Sequence, residues 1–133
     1  MARIFLIAFA IFGGITENAS AERMASKGPI CDSVDELKRF GELVNIGYSE
    51  DEALATVNRE FDDPAKTAPP CVNELTTYLR GEKKGEKRIM NGIIEIYEAL
   101  IFAVFREGEW QQIKPVEQFI PFFVPKASHG SGI

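Results

Sequence analysis

The chain has 133 residues, 45% of them hydrophobic, with a formal net charge of −5 and a pI near 5.0. That is enough apolar material for one small folded domain and excludes disorder of the whole. The acidic balance lacks the positive field that a phosphate backbone requires, which argues against nucleic acid as a main partner.

The first predicted element is a secretory signal peptide over residues 1–21. Arg3 precedes an unbroken apolar run from Ile4 to Phe12, and Ala19-Ser20-Ala21 supplies a small-x-small cleavage site. The run is too short for the roughly 20 residues of a membrane-spanning helix, so no permanent membrane anchor is expected after cleavage at Ala21. Removing 21 of the 133 residues leaves 112. Arg3 and Glu17 leave together, so the net charge is unchanged. Residues 22–30 are polar and are expected to form a flexible lead-in, 31–125 a single small globular domain, and 126–133 a flexible tail.

Two cysteines, Cys31 and Cys71, remain in the exported portion. An even count in a small exported domain predicts a disulfide, and two cysteines allow one intramolecular pairing. The alternatives are a metal site or a redox pair. A metal would need further ligands, and the one histidine, His129, lies in a Ser/Gly-rich tail. A redox pair would favour Cys-x-x-Cys, which is absent.

Ser33-Val34-Asp35-Glu36 has the form of a capping box opening a helix. Val34, Leu37, Phe40 and Val44 then recur at helical spacing, and Gly47 can supply a left-handed stop. Ser49-Glu50-Asp51-Glu52 repeats the device for a second helix, whose inner face carries Ala53, Leu54, Val57, Asn58 and Phe61. The tight Ile46-Gly47-Tyr48 connection predicts an N-terminal αα-hairpin. Residues 62–70 contain three prolines and read as a loop returning Cys71 towards Cys31.

From Cys71 the pattern changes to β. Val72–Leu79 predicts a strand, and Arg80–Gly85 a charged hairpin turn. Ile89–Phe105 is compatible with either a strand or a buried helix. Eight of the thirteen residues from Ile93 to Phe105 are β-branched or aromatic, favouring strand. Glu95 and Glu98 then break strict alternation, a slip that a bulge would absorb. Arg106–Glu109 predicts a hairpin turn into Trp110–Ile113, Pro115 is expected to end that strand, and Glu117–Val124 forms a last one, with Pro121 confining it to an edge. The expected fold class is α+β: an αα-hairpin packed on a small antiparallel β-meander with one disulfide.

No Gly-x-Ser-x-Gly elbow, phosphate-binding glycine loop or His-Glu-x-x-His motif occurs. Glu95 and Glu98 are the candidates for carboxylate chemistry, because burial within an apolar stretch would raise a pKa. Cys31 to Pro64 holds ten acidic residues against Lys38, Arg39 and Arg59, partly explained by helix capping. Arg80 to Arg88 reverses the sign. Lys83, Lys84, Lys87 and Arg88, with Trp110 beyond them, are the candidate partner-binding residues. No catalytic, metal or cofactor-binding residue is assigned, and no cofactor is expected.

Cys31-Asp32-Ser33-Val34, Ala55-Thr56-Val57-Asn58-Arg59-Glu60, Pro64 ahead of Cys71, and Ile113-Lys114-Pro115 give the chain a resemblance. It resembles a group of small exported, periplasmic proteins of rhizobial-type alphaproteobacteria to which no activity is attached. The resemblance implies export and a paired Cys31–Cys71; Thr67-Ala68-Pro69-Pro70 makes the approach to Cys71 longer than that group leads one to expect. The function expected is a non-enzymatic periplasmic interaction or envelope-associated module, with a periplasmic or envelope protein as partner. The alternatives are an inhibitor or regulator of an envelope enzyme and, third, a carboxylate-based hydrolase. Oligomeric state is left open.

Overall fold

The computed structural model describes residues 23–126. The expected signal segment and the tail from 127 onward lie outside the described residues. Two helices and four strands follow in the order β1 (Arg23–Cys31), α1 (Val34–Asn45), α2 (Glu50–Glu60), β2 (Cys71–Ile89), β3 (Gly92–Arg106) and β4 (Glu109–Pro125). The fold class is α+β. All strand pairings are antiparallel and join neighbours in chain order, and the sheet curls until β1 reaches β4 at Cys31 and Phe119, closing a small barrel.

Both capping boxes form. The Ser33 hydroxyl accepts from the Glu36 N–H while the Glu36 carboxylate accepts from the Ser33 N–H, and Ser49 and Glu52 repeat the exchange. Helix α1 stops at a left-handed Gly47 (φ 111°), where the N–H of Tyr48 reaches the Leu43 carbonyl and that of Gly47 the Val44 carbonyl. These two bonds satisfy carbonyls that the helix end would otherwise leave open.

The lead-in predicted over 22–30 is instead strand from Arg23. Its residues show no alternation of polar and apolar side chains, because β1 buries only Ile30 and Cys31. What makes it a strand is an unbroken register on β2, from Arg23 opposite Leu79 to Cys31 opposite Cys71. Pro29 is tolerated because β1 pairs with β2 alone at that point.

The turn predicted at Arg80–Gly85 is also corrected: β2 runs through it, and the turn falls at Met90-Asn91, between Ile89 and Gly92. The two glycines mark close approach rather than chain reversal. A Cβ on Gly81 would stand 3.0 Å from the Glu98 carboxylate, and one on Gly85 3.0 Å from a Val34 methyl of α1. Between Arg80 and Gly85, β2 spends five steps while β3 spends three, from Ala99 to Ile96. The resulting bulges bend the strand under α1.

Ile89–Phe105 is not a buried helix: Ile89 ends β2, Met90-Asn91 form the turn, and Gly92 to Phe105 lie in β3. Its apolar run is nearly continuous because both faces of β3 are covered. Ile94 and Ile96 pack with Leu37, Phe40, Leu43, Leu54 and Val57 under the helices. Ala99 and Ile101, on the opposite face, pack inside the barrel with Ile30, Tyr78 and Ile120. Glu95 and Glu98 therefore lie on opposite faces of an unslipped strand, and the irregularity expected between them sits across the ladder in β2. A bulge at Phe102 does occur further along, and it lets Val104 rejoin the barrel interior.

The hairpin turn at Arg106–Glu109 forms as expected. Glu107 (φ 54°) and Gly108 (φ 82°) are both left-handed, as a two-residue turn matched to strand twist requires. Pro115 does not end the strand that follows. Ile113, Lys114 and Pro115 bulge opposite Phe102, and β4 continues to Pro125. Pro121 falls where β4 pairs with β3 alone, in keeping with an edge position.

Candidate functional site

Cys31 and Cys71 form the disulfide, with Cα atoms 4.1 Å apart. They face each other across the end of the β1–β2 ladder. Asn58 of α2 grips the second cysteine's backbone: its Oδ1 accepts from the Cys71 N–H at 2.8 Å and its Nδ2 donates to the Cys71 carbonyl at 3.0 Å. This explains why an amide occupies the inner face of α2. Glu36 lies beside the bridge, one carboxylate oxygen and the two sulfurs within 4.8 Å of one another. Sulfurs bonded to each other offer no thiolate, so this trio is not a metal centre. Burial pushes the Glu36 carboxyl above its ordinary value, against the opposing pull of the Ser33 N–H.

The basic stretch is compensated from within. Lys83 Nζ lies 2.6 Å from Glu86 and 3.3 Å from Glu95, Lys84 pairs with Glu82 and Glu98, and Lys87 reaches Glu42 of α1 at 3.0 Å. The Glu86 and Glu42 carboxyls are held below their usual range, each first of all by its lysine partner. Arg80 stacks over the rings of Tyr97 and Phe122, 4.8 and 5.2 Å from their centroids. Arg88 adjoins Met90 and Val124 at the far end of β2.

Glu95 and Glu98 cannot act on one bond, because they project to opposite faces. Glu95 accepts from the Tyr97 hydroxyl at 3.0 Å and meets Lys83; Glu98 meets Lys84.

Trp110 stands away from the lysines. It is half exposed and packs edge-on against Phe105, its cross-strand partner, with ring centroids 5.4 Å apart. Lys83 pairs with Tyr97, eight residues earlier on β3. That is about 25 Å along a strand, so the expected candidates do not converge on one site.

Two of the concavities combine residues from several elements with a mostly apolar lining. A groove of about 420 Å³ runs between α1 and the sheet, floored by Phe40, Val44, Ile89 and Ile94 and edged by Pro121 and Phe123. The Met90 N–H donates to Asn45 Oδ1 at 2.8 Å, fixing the β2–β3 turn against the end of α1. Around this end lie Ile46 (70% exposed), Met90 (73%), Phe123 (53%) and Val124 (41%). Pattern reading missed them because each also continues a plausible helix end, turn or strand. The available signal was Phe122-Phe123-Val124, three bulky apolar residues in a row on a strand confined to an edge. The second concavity, of about 250 Å³, opens at the other end of the barrel under the 68–70 lip.

Among the described residues no helix is long and apolar enough to cross a membrane. Comparison with known proteins finds no family model, no curated protein and no solved structure that matches this chain.

Proposed function

We propose that this protein is an exported, non-enzymatic interaction module of the periplasm or cell envelope, in which α1 and α2 act as one helical hairpin laid on the sheet. The groove between α1 and β4 is its contact surface, and the partner is a protein. The observation that carries this reading is exposed Phe123 at the edge of a groove whose floor is already apolar, with exposed Met90 and Val124 on the neighbouring concavity at the β2–β3 turn and exposed Ile46 at the adjacent end of α1. Apolar surface gathered at one place on a small domain favours association over solvation. The disulfide and the apolar start of the chain support export.

A regulator acting through the Lys83–Arg88 stretch is less favoured, because Lys83, Lys84 and Lys87 already hold carboxylates. A hydrolase using Glu95 and Glu98 is less favoured still, because the two face apart.

The test is paired affinity capture from a native periplasmic extract, with the oxidised chain from Glu22 to Ile133 and its Phe123→Asp variant as baits. One protein should be retained by the wild type and lost from the variant, with the variant's thermal melt unchanged. Equal retention by both would overturn the groove assignment. Loss of a measured hydrolytic activity on Glu95→Gln would overturn the non-enzymatic reading.

A further inference from the structure

The open end of the barrel is built differently from the groove. Its walls are aliphatic and come from all four strands: Ile30, Val72, Ile101, Val104, Ile113 and Val116. A smaller lobe of about 80 Å³ adjoins it at Ile30, Glu74 and Thr76 and is lined in part by Ser26, Lys27 and Tyr78. Ser26 and Tyr78 satisfy each other, hydroxyl to hydroxyl at 3.1 Å. Thr76 lines both compartments and is only 2% exposed, and no hydrogen bond joins its hydroxyl to another described residue. A buried hydroxyl with no partner among the described residues is costly to leave unpaired, and one lining a cavity is a natural point of attachment.

Charge at the rim limits what can attach there. Arg106 forks onto Glu74 with contacts of 2.7 and 3.0 Å, and Lys66 lies 3.5 Å from Asp32. Each rim carboxylate therefore already has its cation. At the mouth an anion would have to draw Arg106 from Glu74 and a cation would have to displace Arg106 or Lys66, whereas a neutral ligand would do neither; Lys27, beside the smaller lobe, is held by Asn73 Oδ1 at 3.4 Å. The Ala68-Pro69-Pro70 segment forms the lip, and its prolines lack the N–H groups that could recognise an anion.

We propose that this end of the barrel is a binding site for a small uncharged aliphatic molecule bearing one hydroxyl or carbonyl group, which bonds to the Thr76 hydroxyl. The apolar body lies on the Val104, Ile113 and Val116 wall, and the polar group points inward to Thr76. The mouth shares no lining residue with the groove beside α1, which only the smaller lobe adjoins, at Pro29 and Pro121, and the proposal does not depend on the reading of that groove.

The experiment titrates 1-hexanol into the full oxidised chain carrying ¹³C-labelled Ile and Val methyl groups. Saturable shifts are expected at Ile30, Ile101, Val104 and Ile113. Thr76→Val keeps the shape and removes the hydroxyl, and should weaken binding by about 3- to 10-fold, the worth of one neutral hydrogen bond. Thr76→Ser keeps the hydroxyl and should stay within about 2-fold of the wild type, so a poorly folded valine variant would leave the serine comparison as the test. Hexanoate should bind more weakly than hexanol. Shifts that never saturate, unchanged affinity in Thr76→Val, loss of binding in Thr76→Ser, or tighter binding of hexanoate would each overturn the proposal.

Discussion

Asn58→Ala should be among the most damaging single changes available outside the apolar core. Asn58 supplies both hydrogen bonds to the backbone of Cys71, a residue only 2% exposed. Alanine removes both partners and leaves a buried N–H and a buried carbonyl open, at about 1–3 kcal/mol each where water cannot replace the bond. Water reaches the half-buried side of α2, so the combined cost should be about 2–4 kcal/mol rather than the full sum. For a domain of about 100 residues this corresponds to a fall in Tm of roughly 10–20 °C. Asn58→Asp gives the internal control: a carboxylate can still accept from the N–H but cannot donate to the carbonyl. It should therefore fall between wild type and alanine. Urea unfolding of the oxidised proteins, followed by far-UV circular dichroism, measures all three. A loss below about 0.5 kcal/mol for Asn58→Ala would refute the reasoning, because the two bonds would then be replaced by solvent at no net cost.

Three further outcomes are expected. Glu36 has a folded-state pKa raised above 4.5, principally by burial, so the folded chain holds that proton more tightly than the unfolded chain. The associated stability is present below 4.5 and is lost as pH rises through the folded-state value. Glu36→Gln, which keeps the capping oxygen, should remove this slope; a stability difference from wild type that does not vary with pH would contradict it. Replacing Cys31 and Cys71 together by serine should cost about 4 kcal/mol in the chain-entropy account for a separation of 40 residues, read as a lower urea midpoint. Gly92→Ala should destabilise because a Cβ there would collide with the Val124 carbonyl, and a melt matching wild type would show that the β3–β4 end can shift to admit it.

What could be read from the chain, and what could not, divides by the range of the interactions involved. The helices were legible because their instructions are local: Ser33 with Glu36, Ser49 with Glu52, and Gly47 all lie within a turn of what they specify. The Glu107-Gly108 turn was legible for the same reason. Strand β1 was not, since Ser26, Lys27, Gly28 and Pro29 have little strand preference and become a strand by pairing with residues some fifty positions away, as Ser26 does with Thr76. Gly81 and Gly85 misled because a glycine that admits a neighbour looks the same in sequence as one that reverses the chain. The alternation of β3 was obscured by having two cores, one on each face. Neither concavity was visible in advance. Their linings are spread over strands that only the curl of the sheet brings together, while the charged residues that stood out in sequence turned out to face one another.

The disulfide also defines a natural unit of exchange. Both helices and the proline-containing loop leave the sheet at Cys31 and return at Cys71, with those two Cα atoms only 4.1 Å apart. In topological terms this whole excursion is one long hairpin loop between β1 and β2, clasped at its base. Such a cassette can be lengthened or shortened in its loops without altering the register of any strand, because its two ends already stand at the spacing of adjacent strands, provided that it keeps Asn58 on Cys71 and an apolar cover over Ile94 and Ile96. The strand ladder and the aliphatic walls of the mouth could thus stay constant while the helical cap, the 68–70 lip and the groove that the cap creates are rewritten.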